Sequence, residues 1–293
     1  WQQAISCLPP PRAAQLAALD RQGEVEELRL RAGQPPAAKT AEGEQPLDLR
    51  PVTAQELRET LSRAARYSVH SYAESLKNGF VTLGGGHRLG VCGTVAEENG
   101  QVVGVRGLAS LNLRIARQFT GLAAQIVPWI GDGAPQSVLL LSPPGLGKTT
   151  LLREWVRLIS DKGYTVAVAD ERSEIAALAD GVPQFDVGRC TDVMEGCDKK
   201  QAALMLLKTM SPALLAFDEI TAPADVEAVS LCAHCGTAVI ASAHAANVDD
   251  LRQRPLYRAL LELGVFGRAV VITRKGQERC YRMERLEEGT CSS

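Results

Sequence analysis

The sequence predicts an α/β protein whose larger part is a mostly parallel sheet with helices on both faces. Short apolar runs recur through the second half of the chain, at 138–142, 165–170, 213–219, 237–244 and 268–275. Segments with helical spacing separate these runs, and each run is apolar along most of its length, as strands buried on both faces are. Before residue 118 this alternation is absent, which indicates a smaller α+β domain at the N-terminal side.

The N-terminal segment carries its own secondary-structure signals. EVEELRLR predicts a strand, and Thr53 with Glu56 three residues later forms a capping box that predicts the start of a helix. Two β-like runs around a glycine turn at 79–95 predict a hairpin. The alternating segment 108–118 predicts an edge strand that leads into a linker. We therefore predict an N-terminal α+β domain over 1–122 and a second domain over 123–293.

Composition limits the classes of function. The 293 residues include 32 basic and 34 acidic side chains, a formal net charge of -2. This balance supplies no bulk positive field, so no nucleic-acid partner is expected. No stretch reaches the roughly 18 to 20 consecutive apolar residues that span a bilayer, and the first residues lack a basic segment before an apolar one. A cytosolic chain is therefore expected.

The strongest chemical signal is SPPGLGKTT at 142–150, directly after the first apolar run. It matches the phosphate-loop pattern G-x-x-x-x-G-K-[ST] except that Ser142 replaces the leading glycine. Backbone N–H groups and the positive helix end bind phosphate in such loops, aided by Lys148 toward the outer phosphates and the Thr149 hydroxyl toward Mg²⁺. Because Ser142 removes none of these groups, ATP and Mg²⁺ are predicted cofactors. The predicted binding residues are Pro144, Gly145, Leu146, Gly147, Lys148, Thr149 and Thr150.

Acidic residues and one histidine follow three later strands of the predicted sheet. Asp218 is expected to support Mg²⁺, and Glu219 to orient or deprotonate an attacking water. Glu171 ends the preceding strand; it either shapes the same site or supplies favourable charge at the start of a following helix. His244 ends the next strand and is either a γ-phosphate sensor or a structural histidine.

Phosphoryl transfer also needs positive charge on the transferred group, and an arginine from a neighbouring domain or subunit can supply it. The candidates in the first domain are Arg88, Arg114 and Arg117.

Together with these residues, longer segments of the chain resemble the stage III sporulation protein AA family, which is related to the type II and type IV secretion ATPases. The similarity covers most of the chain and is carried by GGGHRLGVCGTV, LNLRIARQ, SPPGLGKTTLLRE, DERSEIA, DVGRCTDVMEGCDKKQAALMLLKTMSP, AFDEI and ASAHA. The resemblance implies a RecA-like P-loop ATPase domain and a homo-oligomer in the form of a hexameric ring. It also implies work on the cytosolic side of a membrane channel in the mother cell of a spore-former, peripherally bound to a membrane-embedded partner.

The same resemblance implies roles for individual residues. The nucleotide site would be formed by Glu171, the Asp218 and Glu219 pair, and His244. The arginines that would reach the phosphates are Arg114, Arg117 and Arg88. Two other functions stay open. A nucleic-acid motor on the same fold predicts a basic channel, which the near-neutral charge disfavours. A nucleotide-dependent assembly scaffold predicts little turnover, which an intact Glu219 disfavours.

Overall fold

The computed structural model describes residues 1–20, 22–65, 79–98, 101–116, 123–179, 181–276 and 278–286. Two compact units make up the chain. The first holds Trp1–Arg117 and Ala177–Gln184, and the second holds Gln118–Ala176 and Phe185–Ser293. The predicted boundary after residue 122 stays a prediction, and it does not account for the grouping of Ala177–Gln184 with the first unit. Across the described ranges, no helix has the length and apolar character needed to cross a membrane.

The first unit is built on a six-stranded antiparallel sheet with the order β3-β2-β1-β6-β5-β4. Its strands are β1 Glu27–Arg31, β2 Ala37–Thr40, β3 Gly43–Pro46, β4 Phe80–Thr82, β5 Arg88–Glu98 and β6 Gln101–Arg114. Its helices are α1 Gln2–Ile5, α2 Pro10–Ala17 and α3 Ala54–Ala65. Buried leucines from the helices and strands, among them Leu16, Leu57, Leu28 and Leu113, form one apolar core.

The structure confirms most of the local predictions for this unit and corrects one. The strand at 27–31, the hairpin of β4 and β5, and the helix that begins after Thr53 are all present. The capping box is formed as predicted, since Thr53 Oγ1 accepts from the Glu56 N–H at 3.1 Å and Glu56 Oε2 accepts from the Thr53 N–H at 2.9 Å. The predicted edge strand was wrong, because β6 lies between β1 and β5. Alternation shows that a strand has one buried face, but it does not identify the hydrogen-bonding neighbours.

The second unit is built on a seven-stranded sheet with the order β11-β8-β12-β13-β7-β14-β15. Six strands are parallel, and β15 is an antiparallel edge strand. These strands are β7 Val138–Leu141, β8 Val166–Ala169, β11 Thr191–Met194, β12 Leu214–Phe217, β13 Ala238–Ala243, β14 Arg268–Lys275 and β15 Glu278–Arg285. A separate two-stranded hairpin, β9 Leu178–Ala179 and β10 Val182–Pro183, belongs to the first unit.

Helices alternate with the strands of the second unit, as the sequence predicts. They are α4 Ala123–Ile130, α5 Lys148–Asp161, α6 Lys199–Thr209, α7 Pro223–His234, α8 Val248–Gln253 and α9 Pro255–Glu262. One apolar side of α5 is buried, including Leu151, Leu152 and Trp155. Because the paired strands of this sheet are parallel up to β14, their carboxyl ends lie along one edge of the sheet.

The segment after β8 differs from prediction, because no helix begins at Glu171. Ser173 has a φ of 52°, in the left-handed region, and the chain from 171 to 177 forms turns and bends. The buried carboxylate of Asp170 accepts from the N–H groups of 174, 175 and 176, and Arg153 of α5 donates to the Ile175 carbonyl at 2.6 Å. Side-chain bonds to the backbone thus replace the helical turn, and the alternative of helix-start charge for Glu171 is wrong.

A buried ion pair joins Arg12 to Glu56 in the first unit, with 3.2 Å between Nε and Oε1. Burial raises the pKa of Glu56, but hydrogen bonds from the Thr53 N–H and from Arg12 outweigh burial and lower that pKa from its ordinary 4.5 to about 2. Because the folded-state pKa lies below the unfolded one, this carboxylate stabilises the fold above pH 4.5. That contribution is lost as the pH falls from 4.5 toward about 2.

The variant Glu56→Gln is expected to lower the free energy of unfolding by about 3 to 5 kcal/mol near neutral pH, because Arg12 stays buried without its counter-charge. It is also expected to lose less stability on acidification than the wild type. Urea unfolding at pH 7 and pH 3 measures both effects. The control Glu59→Gln, at an exposed position on the same helix, should change stability by no more than about 0.5 kcal/mol. Similar stability of the two variants at pH 7 would contradict this role.

Candidate nucleotide site

The loop between β7 and α5 has the backbone that a phosphate loop needs. Gly145 and Gly147 have φ values of 78° and 90°, in the left-handed region that side chains other than hydrogen disfavour. Gly147 is the residue before the first turn of α5, and no side chain of the described residues caps that helix. The first N–H groups of α5 therefore face outward together with the positive end of its dipole. This arrangement suits an anion.

Lys148 begins α5 and is buried. Its Nζ donates to the Ser142 carbonyl at 3.0 Å and lies 2.7 Å from Nδ1 of His244. Burial lowers the pKa of Lys148, while the negative charges of Glu219 and Asp218 act in the opposite direction. The serine at the first position of the loop keeps this contact, because the nearer partner is a backbone oxygen, which glycine also has. The Ser142 hydroxyl adds a longer contact, 3.4 Å from Nζ.

The two residues predicted to hold the metal lie together. Thr149 Oγ1 donates to Oδ2 of Asp218 at 3.2 Å. The other carboxylate oxygen, Oδ1, accepts from the Ser242 hydroxyl at 3.1 Å and from the Glu219 N–H at 3.0 Å. Hydroxyl and carboxylate oxygens are ligands that Mg²⁺ prefers, and Mg²⁺ usually binds through one or two carboxylates plus phosphate and water. The donor set therefore fits this ion.

His244 connects Lys148 to Glu219. The ammonium of Lys148 is only a donor, so Nδ1 of His244 must accept. Nε2 then carries the proton in the neutral ring and donates to Oε1 of Glu219, which it contacts. Oε2 of Glu219 also pairs with Nη1 of Arg172 at 3.2 Å. Both oxygens of the predicted catalytic carboxylate are thus held by cationic or polar partners.

Of the predicted site residues, Glu171 lies apart from the others and contacts Lys199. Its Oε2 accepts from Nζ of Lys199 at 2.5 Å, and the same buried lysine lies 3.6 Å from Asp225. Lys199 is at the start of α6, so Glu171 contacts a neighbouring helix. The structure brings Lys148, Thr149, Asp218, Glu219 and His244 together and places Glu171 on Lys199. A role for Glu171 at the metal stays a prediction.

The predicted phosphate-reaching arginines belong to the first unit. Arg88 stacks its guanidinium 4.4 Å above the Phe80 ring, and Arg114 is exposed, with Nε 3.7 Å from Oε1 of Glu27. Arg117 lies outside the described residues. The proposal that these arginines act on phosphate stays a prediction.

Four residues at the site were not predicted from sequence. Ser242 and Arg172 each lie two residues or fewer from a predicted residue, so the motif itself could have indicated them. Tyr257 of α9 donates to the Ile220 carbonyl at 3.2 Å and accepts from the His244 N–H at 3.3 Å, which joins two loops of the site. Burial raises the pKa of its hydroxyl. Tyr257 carries no local signal, because only folding brings it to the backbone of His244 and Ile220. The same holds for Arg279, whose guanidinium lies against Gly147 of the phosphate loop.

The fold and the site define a P-loop protein of the RecA-like class, and known structures agree. The crystal structure described as the pilus retraction motor PilT with bound ADP is 16% identical, with a TM-score of 0.63, covering 89% of this chain and 79% of that one. The ATPase DotB of Legionella pneumophila is 14% identical, with a TM-score of 0.56, covering 95% and 80%. At these identities the likeness shows the fold alone, and it confirms the predicted fold class.

The chain belongs to the family described as sporulation stage III, protein AA, whose model matches residues 15–283. The stage III sporulation protein AA of Bacillus subtilis (strain 168) is 38% identical over 257 residues, which cover 86% of this chain and 83% of that protein. The protein SEEDLING PLASTID DEVELOPMENT 1 of Arabidopsis thaliana is 26% identical over 260 residues, 88% of this chain but 35% of its own length. The resemblance inferred from the motifs is thereby confirmed.

Proposed function

We propose that this protein binds ATP with Mg²⁺ and hydrolyses its β-γ phosphoanhydride. The observation that carries the proposal is the 3.2 Å contact between the Thr149 hydroxyl and Asp218, with Glu219 next in the chain. Residues 144–150 would hold the phosphates, and Thr149 with Asp218 would hold the metal. Bound Mg²⁺ would supply positive charge to the β- and γ-phosphate oxygens.

The side chains of the site have to change partners when nucleotide binds. Lys148 is held by the Ser142 carbonyl and by His244. In our proposal it leaves these acceptors for the outer phosphates, where a full negative charge is a stronger partner. His244 then loses its donor on Nδ1 and can respond to the γ-phosphate. Glu219 must leave Arg172 to orient or deprotonate the attacking water, since a carboxylate in an ion pair is a weaker base.

In the cell, we propose a motor on the cytosolic side of a membrane channel during endospore formation. Family membership supports the sporulation context, and the shared fold with a protein described as a pilus retraction motor supports the motor. The proposed form is a homo-oligomeric ring of six subunits, bound to a membrane-embedded partner. A scaffold with little turnover and a nucleic-acid motor are the alternatives.

Phosphate release from MgATP, measured against protein concentration with mass determined in parallel, tests the activity. Turnover that rises per protomer as larger species form supports a ring-forming motor. ATP binding without phosphate release at any oligomeric state would favour the scaffold. Stimulation by DNA with no effect of oligomeric state would favour the nucleic-acid motor.

The variant Ser142→Gly restores the usual loop pattern and is expected to change the Kd for ATP by no more than about threefold. The reason is that the shorter contact of Lys148 Nζ is with the backbone oxygen of this residue, at 3.0 Å against 3.4 Å for the hydroxyl. The Ser142 hydroxyl itself donates to the adjacent Pro143 carbonyl at 2.7 Å. Calorimetric titration of both proteins with MgATP measures the effect. A change larger than tenfold would show that the serine hydroxyl itself takes part in binding.

A further inference from the structure

We propose that Arg279 is a nucleotide-binding residue, which contacts the phosphate chain of ATP bound in the same protein chain. The inference rests on the proposed function and adds a residue that no phosphate-loop motif contains. Arg279 lies on β15, more than 120 residues after the loop in sequence. Three features of the second unit carry the proposal: the register of the hairpin, the contact with Gly147, and the charges beside it.

The hairpin of β14 and β15 extends past the loop edge of the sheet. β14 is parallel to β7, and Val271 pairs with Leu141, the last residue of β7. The remaining residues of β14, and those paired with them on β15, therefore lie beyond the end of β7 on the side where the loop begins. Arg279 pairs with Arg274 in this overhang. The register of the strands alone therefore places Arg279 beside the loop.

The Arg279 guanidinium lies against Gly147. A Cβ built on Gly147 would be 3.0 Å from Nη1, 3.2 Å from Cζ and 3.6 Å from Nη2 of Arg279. Three atoms of the planar group are thus within contact distance of one point, at the residue just before α5. The glycine at this position leaves room for the guanidinium as well as for the left-handed backbone. A phosphate bound by the first N–H groups of α5 would lie near this guanidinium.

Two arginines face each other at this end of the hairpin. Residues paired directly in an antiparallel ladder project from the same face, so Arg274 and Arg279 share a face. Like charges placed directly opposite destabilise a sheet, and the Arg279 guanidinium also lies at the positive end of the α5 dipole. A polyanion would relieve that repulsion. Arginine is suited to this task because its planar donors can bind two phosphate oxygens at once.

Tyr281 orients the guanidinium. It lies two residues after Arg279 on the same face of β15, is partly buried, and is hydrogen-bonded to Arg279. Burial raises the pKa of the Tyr281 hydroxyl, whereas the charge of Arg279 and its hydrogen bond act in the opposite direction. The hydroxyl therefore stays protonated at neutral pH. This hydrogen bond with a neutral hydroxyl helps to hold the Arg279 guanidinium in position.

The test compares Arg279→Gln and Arg279→Lys with the wild type in calorimetric titrations. The probes are MgATP and inorganic tripolyphosphate with Mg²⁺, which has the phosphate chain without the nucleoside. Arg282→Gln is the matched control, because Arg282 is on the same strand, projects from the opposite face and pairs with Glu284 at 2.5 Å. Thermal melting without ligand reports whether each variant is folded.

Arg279→Gln is expected to weaken binding of both probes by about tenfold or more, as loss of a charge-assisted contact does. Arg279→Lys should lose less, and Arg282→Gln should bind both probes as the wild type does. Wild-type affinity of Arg279→Gln for both probes would overturn the inference alone. A loss for MgATP with unchanged tripolyphosphate binding would also overturn it, because the contact would then be to the nucleoside. If the wild type bound neither probe, both the proposed function and this inference would be rejected.

Discussion

Replacing Glu219 by glutamine is expected to lower the rate of ATP hydrolysis by about 10²- to 10⁴-fold, the usual contribution of a general base, while ATP stays bound. Glutamine keeps the size of the side chain and one carbonyl oxygen, so the contact with Nε2 of His244 can persist. It removes the negative charge that accepts a proton from water. Single-turnover phosphate release measures the rate, and calorimetric titration with MgATP measures the affinity.

The control for this variant is Glu227→Gln, on α7 in the same unit. Glu227 is exposed and pairs with Lys200 at the surface, so turnover should match that of the wild type. If Glu219→Gln lowered affinity as much as it lowered turnover, Glu219 would be a binding residue and its proposed role would be wrong. If turnover of Glu219→Gln stayed within a factor of two of the wild type, another residue would activate the water.

Replacing Lys148 by alanine is expected to weaken ATP binding by about 100-fold, because a buried ammonium that contacts the outer phosphates is lost. The variant also leaves two acceptors, the Ser142 carbonyl and Nδ1 of His244, without the donor they have now. Some loss of thermal stability is therefore expected as well. Titration with MgATP gives the affinity, and melting without nucleotide separates the loss of binding from unfolding.

Lys208→Ala is the control for the lysine variant, since Lys208 is an exposed lysine near the end of α6. It should bind ATP as tightly as the wild type. Unchanged ATP affinity in a folded Lys148→Ala protein would remove the loop from the proposed mechanism. Loss in both variants would point to a general effect of charge and not to a contact made by Lys148.

The local elements of this protein could be predicted because each depends on neighbours in sequence. Apolar runs bounded by turns predicted β7, β8, β12, β13 and β14, and Thr53 with Glu56 predicted the start of α3 through bonds that span three residues. The phosphate loop also depends on neighbours in sequence, because it is built from two glycines with positive φ and the amphipathic helix that follows them. Asp218 and His244 could be placed near it because parallel strands end at the same edge.

The sequence by itself determined the fold class, the loop and the residues at the ends of the strands. Tertiary structure alone decided the central position of β6, the pairing of Glu171 with Lys199, the contact of Tyr257 with His244, and the placement of Arg279 at the loop. The physical reason is the range of the forces involved. Periodicity and backbone preference act over a few residues, whereas strand neighbours and ion-pair partners are chosen by packing across the whole unit.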